Sequence, residues 1–160
     1  MNKAETYEFL RAKNIPFETV EHEAVFNMEE MSKISLPHPE ADAKNLFVRD
    51  DKHLNFYLIT VRGDKRVNLK EFRKANGTRP LTFASETELF EILRLTPGSV
   101  TPLGLLSDDE RKVKFYIDSD LAKGLVGVHP NENTATVFLK TEDLTKLIKE
   151  HGNETYIVEI

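Results

Sequence analysis

Residues 42 to 61 constrain the fold of this chain more than any other stretch. Arg49-Asp50-Asp51-Lys52 reads as a turn, flanked by Lys44-Asn45-Leu46-Phe47-Val48 on one side and His53 to Val61 on the other. The second flank is rich in β-branched and aromatic residues, which suit a pleated surface, so the two flanks should pair as a β-hairpin. One residue sits badly in this arrangement. In an extended strand Lys44 shares a face with Leu46 and Val48. An ammonium beside apolar side chains must snorkel to water or meet an anion, because burying it unpaired is costly. On Lys44 alone, snorkelling at a strand end is the simpler reading.

The rest of the chain alternates helix and strand signals at short intervals. Ala4, Tyr7 and Leu10 fall at helical spacing in Lys3–Lys13, and Ile15 to Val20 reads as a strand. Asn27 can cap a short helix through Lys33, which Leu36-Pro37-His38-Pro39 must end. Asn68 caps a helix from Leu69 to Ala75, stopped by Asn76-Gly77. Leu81–Ala84 is a short strand, and Ser85-Glu86-Thr87-Glu88 is a capping box opening a helix to Leu95. Beyond a loop at Pro97–Gly104 come strands at Val113–Asp118, Leu125–Val128 and Thr134–Leu139. A helical turn near Asp120–Lys123 lies between the first two, Thr141 is placed as the cap of a last helix to Glu150, and Thr155–Ile160 closes the chain as a strand. The expected fold is α/β (α+β): one domain over residues 1–160, with about seven strands in a twisted, mostly antiparallel mixed sheet surrounded by helices.

Several function classes are excluded early. The chain has no cysteine, which removes disulfides, thiol nucleophiles and cysteine-ligated zinc. No histidine pair has metal spacing, so neither a metal nor another cofactor is expected. No apolar run approaches membrane-spanning length, and the acidic, polar start is unlike a signal or transit peptide, so a cytoplasmic location without membrane association is the expectation. A net charge of −5 argues against wholesale coating of nucleic acid. It conceals a basic island, however: Arg62, Lys65, Arg66, Lys70, Arg73, Lys74 and Arg79 stand against only Asp64 and Glu71. Such an island is either a solvated face or a dock for a phosphate backbone.

Two further segments invite chemistry. Thr96-Pro97-Gly98-Ser99-Val100-Thr101-Pro102-Leu103-Gly104 has a path set by prolines and glycines that a ligand can approach. It can aim N–H groups at an oxyanion, or serve as a rigid structural turn. It carries neither a phosphate-loop nor a dinucleotide glycine pattern, and Ser99 lacks the Gly-x-Ser-x-Gly elbow of serine hydrolases. His129, biased to extended backbone by Pro130, sits at a strand end where it can hold a substrate, shuttle protons or simply be structural. His22 and His38 lie in polar loops, His53 begins a strand and His151 precedes a helix-stop glycine. Asp42 and Asp108-Asp109 supply carboxylates, the latter pair in what reads as a solvated turn.

Taken together, Asp42-Ala43-Lys44-Asn45-Leu46-Phe47-Val48-Arg49-Asp50, Gly98-Ser99-Val100-Thr101-Pro102-Leu103-Gly104 and Gly127-Val128-His129-Pro130-Asn131-Glu132-Asn133-Thr134-Ala135-Thr136 resemble the prolyl-tRNA editing superfamily of the YbaK/ProX type. The likeness is greatest to its free-standing Ala-tRNA(Pro) deacylases, the ProX or PrdX proteins. It runs over essentially the whole chain, and Lys-Asn-Leu-Phe and His-Pro followed by Asn-Thr-Ala-Thr are its specific parts. The resemblance implies a compact α/β fold, and hydrolysis of the ester joining a wrong amino acid to tRNA(Pro). It implies functional roles for Lys44, for Gly98 and Pro102 of the Gly-x-x-x-Pro loop, and for His129.

On that reading a phosphate near the tRNA 3′ end is the partner Lys44 lacked. Asn45, Ser99, Val100, Thr101 and Pro130 flank the substrate, while Met31 and Ile34, with Met28, are candidate pocket walls or ordinary core. Arg66, Lys70, Arg73 and Lys74 would dock the acceptor stem of tRNA(Pro), and prolyl-tRNA synthetase stands as a candidate partner. An aminoacyl ester is already reactive, so positioning, a placed water and oxyanion stabilisation suffice, with the terminal ribose hydroxyl assisting. Cys-tRNA(Pro) deacylation, a non-catalytic tRNA-binding module and a general small-ester hydrolase remain as alternatives.

Overall fold

The computed structural model describes residues 1–160. Eight strands form two sheets. The larger contains β2 (Ala43–Asp50), β3 (Phe56–Arg62), β4 (Leu81–Phe83), β5 (Val113–Asp118) and β8 (Thr155–Val158), in the order β4-β2-β3-β5-β8. The smaller contains β1 (Phe17–Glu21), β6 (Leu125–Val128) and β7 (Ala135–Lys140), with β7 in the middle. Only β3 with β5 and β5 with β8 run parallel, so the fold is α+β and mostly antiparallel as expected. The expected single sheet of about seven strands is instead this pair of sheets, joined by one isolated bridge between Asp42 and Gly127. Periodicity identifies strands but not their partners, and β1 pairs with β7 across most of the chain.

The hairpin forms with Lys44 opposite Val61 and Val48 opposite Tyr57. Its central strand is buried through Val61 because both faces of the large sheet are covered. One face joins Phe47, Phe56, Leu58, Phe115 and Ile117 to Val126, Val128, Val137 and Leu139 of the small sheet, and to helices α4 (Glu86–Leu93) and α5 (Thr141–His151). The other carries Val48, Tyr57, Ile59, Val61 and Tyr116 under Phe72 of α3 (Leu69–Asn76). Helices α1 (Lys3–Ala12) and α2 (Met28–Ser32) fall where their caps place them: Asn2 and Asn27 accept from Glu5 and Glu30 N–H. The Ser85/Glu88 capping box of α4 is present with both bonds made.

Three local readings need correction. The hairpin turn starts later than Arg49, at Asp51, and His53 lies in it with φ 54° rather than in a strand. Thr141 is the first residue of α5 and not its cap: its N–H is drawn to the Gly124 carbonyl at 2.9 Å and its hydroxyl caps nothing. Asp108 is not solvated but 2% exposed, accepting from Val113 N–H and Asn153 Nδ2 and so tying the start of β5 to the end of α5.

The turn itself is organised by Asp50, which is wholly buried. Its carboxylate accepts from Lys52 N–H at 3.2 Å, Leu54 N–H at 2.9 Å and Asn55 Nδ2 at 2.7 Å. Burial alone would push this carboxyl up, but the Asn55 side chain and the backbone donors outweigh it and hold the group below the ordinary carboxylate range. Asp50→Ala strands those donors, so urea unfolding should show a loss of about 3 kcal/mol. A depressed carboxyl stabilises above its unfolded pKa and stops doing so as pH falls through its folded one, so the gap from wild type should narrow in acid. A variant as stable as wild type at neutral pH would show that the turn does not depend on Asp50.

Candidate active site

A cavity of about 200 Å³ opens where the two sheets diverge, beside the Asp42–Gly127 bridge. Its lining comes from the start of β2 (Asp42 to Asn45), from the connection between β1 and α2 together with α2 itself (Val25 to Met28, and Met31), and from Gly98 and Val100. The small sheet adds Gly127, Val128, His129 and Thr136. Lys44, Gly98 and His129 are thereby brought to one space. So are Met31, Asn45 and Val100. Ser99, Thr101, Pro102 and Pro130 are buried behind this lining rather than part of it, and Ile34 lines an adjoining cavity of about 180 Å³ with Met31, Asp42 and Phe138.

Two side-chain hydrogen bonds hold the three segments together. Asn45 Nδ2 donates to the Val100 carbonyl at 3.4 Å, while its Oδ1 accepts from the Thr60 hydroxyl at 2.5 Å. Thr101, fully buried, donates its hydroxyl to the His129 carbonyl at 2.6 Å. Pro102 then opens a 3₁₀ turn over Pro102–Ser107, whose first free N–H, that of Leu103, is capped by the same Thr101 oxygen. Gly98 is required on two counts. Its φ of +88° is left-handed, and a Cβ there would lie 2.8 Å from the Phe26 ring.

This loop presents donors. The Ser99 N–H is spent on the Thr96 carbonyl, but those of Gly98 and Val100 have no partner within the protein, and both residues line the cavity. Lys44 is partly buried and makes no ion pair. His129 Nδ1 lies 3.0 Å from the Ala135 carbonyl. A carbonyl can only accept, so Nδ1 carries the proton and Nε2 is left as an acceptor. Burial lowers the His129 pKa, the Ala135 bond opposes this, and His22 nearby adds to the lowering, so the ring is neutral at pH 7.

Sequence reasoning passed over several of these residues. His22 packs edge-on against His129 with ring centroids 6.2 Å apart, and its Nε2 lies 2.9 Å from the hydroxyl of Thr136, a lining residue. Phe26, 63% exposed, stands at the cavity beside Gly98. His22 and Phe26 arrive because the backbone beyond β1 continues its pairing with the β6–β7 connection: His22 N–H bonds the Thr134 carbonyl, and Val25 N–H that of Asn133. No local signal foretells a contact across more than a hundred residues.

The basic island divides. Lys65 is held by Asp118 and Asp120, both at 2.6 Å; Arg62 pairs with Asp64 and Arg79 with Asp51. Arg66, Lys70, Arg73 and Lys74 are exposed and have no acidic partner within 4.0 Å, the last three on α3, whose Phe72 is buried. A histidine with a lowered pKa is destabilised by protonation in the fold, so an NMR titration of His129 should give a midpoint below the ordinary 6.5. A midpoint at or above that value would contradict the neutral ring.

The aminoacyl-tRNA editing domain family matches residues 22–147, a span that includes every residue lining the cavity. The chain is 40% identical over 147 residues to Prolyl-tRNA editing protein ProX of Acetoanaerobium sticklandii, covering 91% of this chain and 90% of that one. It is 39% identical over 165 residues to Prolyl-tRNA synthetase associated domain-containing protein 1 of Mus musculus, covering 98% and 95%. The crystal structure of a candidate trans-editing enzyme for prolyl tRNA synthetase superposes with a TM-score of 0.69 over 100% of this chain and 98% of that one. At 20% identity that likeness bears on the fold alone. The family match over most of the chain, and relatives of this identity over nearly their whole length, establish that the chain belongs to the aminoacyl-tRNA editing domain family.

Proposed function

We propose that this protein is a free-standing editor in the cytoplasm that hydrolyses mischarged tRNA(Pro), Ala-tRNA(Pro) above all, with residues 1–160 acting as one editing domain. The broader class, aminoacyl-tRNA deacylase, follows from family membership. The prolyl assignment is supported by the relative named for prolyl-tRNA editing. One observation carries the reading: a single cavity collects an unpaired lysine, two unspent backbone N–H groups and a neutral imidazole.

Each has a task in ester hydrolysis. Lys44 anchors a phosphate near the tRNA 3′ end, which sets the acyl carbon against the loop. Gly98 and Val100 N–H stabilise the oxyanion formed when water adds to that carbon. The terminal ribose hydroxyl orients the water, and His129 Nε2 is available to accept a hydrogen bond from either. As the ester C–O bond breaks, the departing ribose oxygen takes up the proton that the water gave up. Such a reaction needs no strongly basic side chain, which agrees with a site whose one lining imidazole is partly buried and less basic than usual.

Alanine is the proposed substrate because a space of about 200 Å³, lined in part by Met28 and Met31, suits a small acyl group. A wall excludes a larger side chain far better than it separates two small ones, so Cys-tRNA(Pro) is the second reading. The four unpaired cations of α3 and its approach dock the acceptor stem.

Release of amino acid from Ala-, Cys- and Pro-charged tRNA(Pro) and from Ala-tRNA(Ala) tests this directly. Fast release of alanine from tRNA(Pro) alone is expected, with Lys44→Ala about 100-fold slower in kcat/KM. No release from any of the four would point to a non-catalytic tRNA-binding module, and an unimpaired Lys44→Ala would remove the lysine from the mechanism. Reversing Arg73 and Lys74 to glutamate should raise KM about tenfold while kcat holds, and flatten the salt dependence of KM. An unchanged KM would place the tRNA elsewhere.

A further inference from the structure

The reaction outlined above leaves one charged group in the cavity without a task. Asp42 is the sole acidic side chain among the lining residues, and it is partly buried. Its backbone is fully committed, with its N–H on the Pro39 carbonyl and its carbonyl accepting from Gly63 N–H at 2.9 Å. Its carboxylate is not. No lysine, arginine or histidine lies within 4.0 Å of it, and only the neighbouring Ala43 N–H steadies it.

The position of this carboxylate is nevertheless well defined. Gly63, at the end of β3, leaves room that a side chain would fill: a Cβ there would lie 3.0 Å from Asp42 Oδ2 and 2.7 Å from Met28 Cε. Burial, and then the negative charge of Asp64, push the Asp42 carboxyl above its ordinary value, the mark of an anion short of a cation. The local cations do not supply it. Arg62 is engaged by Asp64 through two nitrogens, at 2.9 and 3.2 Å. Lys44, two residues along an extended backbone, projects to the same side of the strand but makes no ion pair with Asp42. The cavity therefore presents an anion and a cation spaced along one wall, each unanswered by the protein. A ligand that satisfies both carries a cation at one end and an anion at the other. Resting on the deacylase reading, an aminoacyl ester at a tRNA 3′ end has this form: an α-ammonium one carbon from the acyl carbon, and phosphate on the nucleotide side.

We propose that Asp42 is a specificity-determining residue that receives the α-ammonium of the aminoacyl group, so that the site takes esters with a free amine and turns away those whose amine is blocked. Held at the ammonium by Asp42 and at the phosphate by Lys44, the acyl group is gripped on both sides of its carbonyl. That places the carbonyl at the Gly98 and Val100 N–H groups. Because prolyl esters are also ammonium ions, Asp42 does not separate alanine from proline; the cavity walls do. What Asp42 excludes is a neutral acylated amine, whose burial against an unpaired carboxylate is unfavourable on both sides.

Calorimetric titration with non-hydrolysable analogues tests this separately from catalysis. The probes are the 3′-amide of 3′-amino-3′-deoxyadenosine 5′-phosphate with alanine and its N-acetylalanine counterpart. Wild type should bind the free amine at least tenfold more tightly. Asp42→Asn, which keeps the side-chain shape, should bring that ratio to within about twofold of one while binding of the acetylated compound holds. Lys44→Ala should weaken both compounds alike and leave the ratio intact. A ratio retained in Asp42→Asn, no preference in wild type, or no binding of either compound would overturn the proposal, and the wild-type preference needs no variant to fold. Preference without deacylation of any charged tRNA would uphold Asp42 and sink the enzymatic reading; deacylation without preference would do the reverse.

Discussion

The hydroxyl of Thr101 on the carbonyl of His129 is the contact on which the site depends. The two sheets are not continuous, and beyond the Asp42–Gly127 bridge nothing in their strand pairing fixes how the end of β6 faces the start of β2. Thr101 supplies that tie from a loop belonging to neither sheet, and Asn45 completes it by joining β2 to Val100 of the same loop. Each bond adds only about 1 kcal/mol net, but Thr101 is fully buried, so breaking its bond also strands a hydroxyl in the core. The loop is locked in place because leaving it costs more than holding it gains. This is what a site built on unspent backbone N–H groups needs, since such donors help a developing oxyanion only if they need not reorganise.

Charge is distributed with the same division of labour. Lys65 lies in the same short basic stretch as Lys70, but it anchors the end of β5 and the chain terminus through Asp118, Asp120 and the Ile160 carbonyl. Its charge is consumed inside the fold, as are those of Arg62 and Arg79 at the surface. What remains for a polyanion is a compact group on and beside α3, on a chain whose net charge is −5. Four exposed cations grouped on a chain of net negative charge would favour one orientation of a polyanion over indiscriminate binding. Lys44 stands apart from this group, inside the cavity.

Much of this was legible in the amino-acid sequence, and what was not shares one physical cause. Helices α2 to α4 announce where they start, because Asn27, Asn68 and Ser85 are capping residues within a turn of the N–H groups they satisfy. The same local logic misleads at Thr141, whose N–H a distant carbonyl of Gly124 takes. Asp108 reads as a turn residue until Asn153 arrives to bury it. His22 and Thr136 escape for a related reason: their meeting is written in the pairing of β1 with β7, which no neighbouring residue encodes. Motif residues such as Lys44, Gly98 and His129 stand out by type and context. Residues that matter by whom they fail to meet, such as Asp42, become visible only when the whole surroundings are known.

The unpaired state of Lys44 therefore takes on a different meaning beside Asp42. A lysine that merely snorkelled would gain most of what it needs from water and would be indifferent to an acid two residues away. Here no ion pair joins the two, and Gly63 leaves room for the carboxylate at its end of the cavity. Had the pair been closer, each would have neutralised the other, and the cavity would bind nothing charged. Unpaired at this wall, the partly buried Asp42 carboxylate costs the fold some stability through incomplete solvation. That cost is recovered only when a ligand bearing both charges enters. Such a cavity is selective before any chemistry occurs, because a ligand with one charge answers one group and leaves the other desolvated.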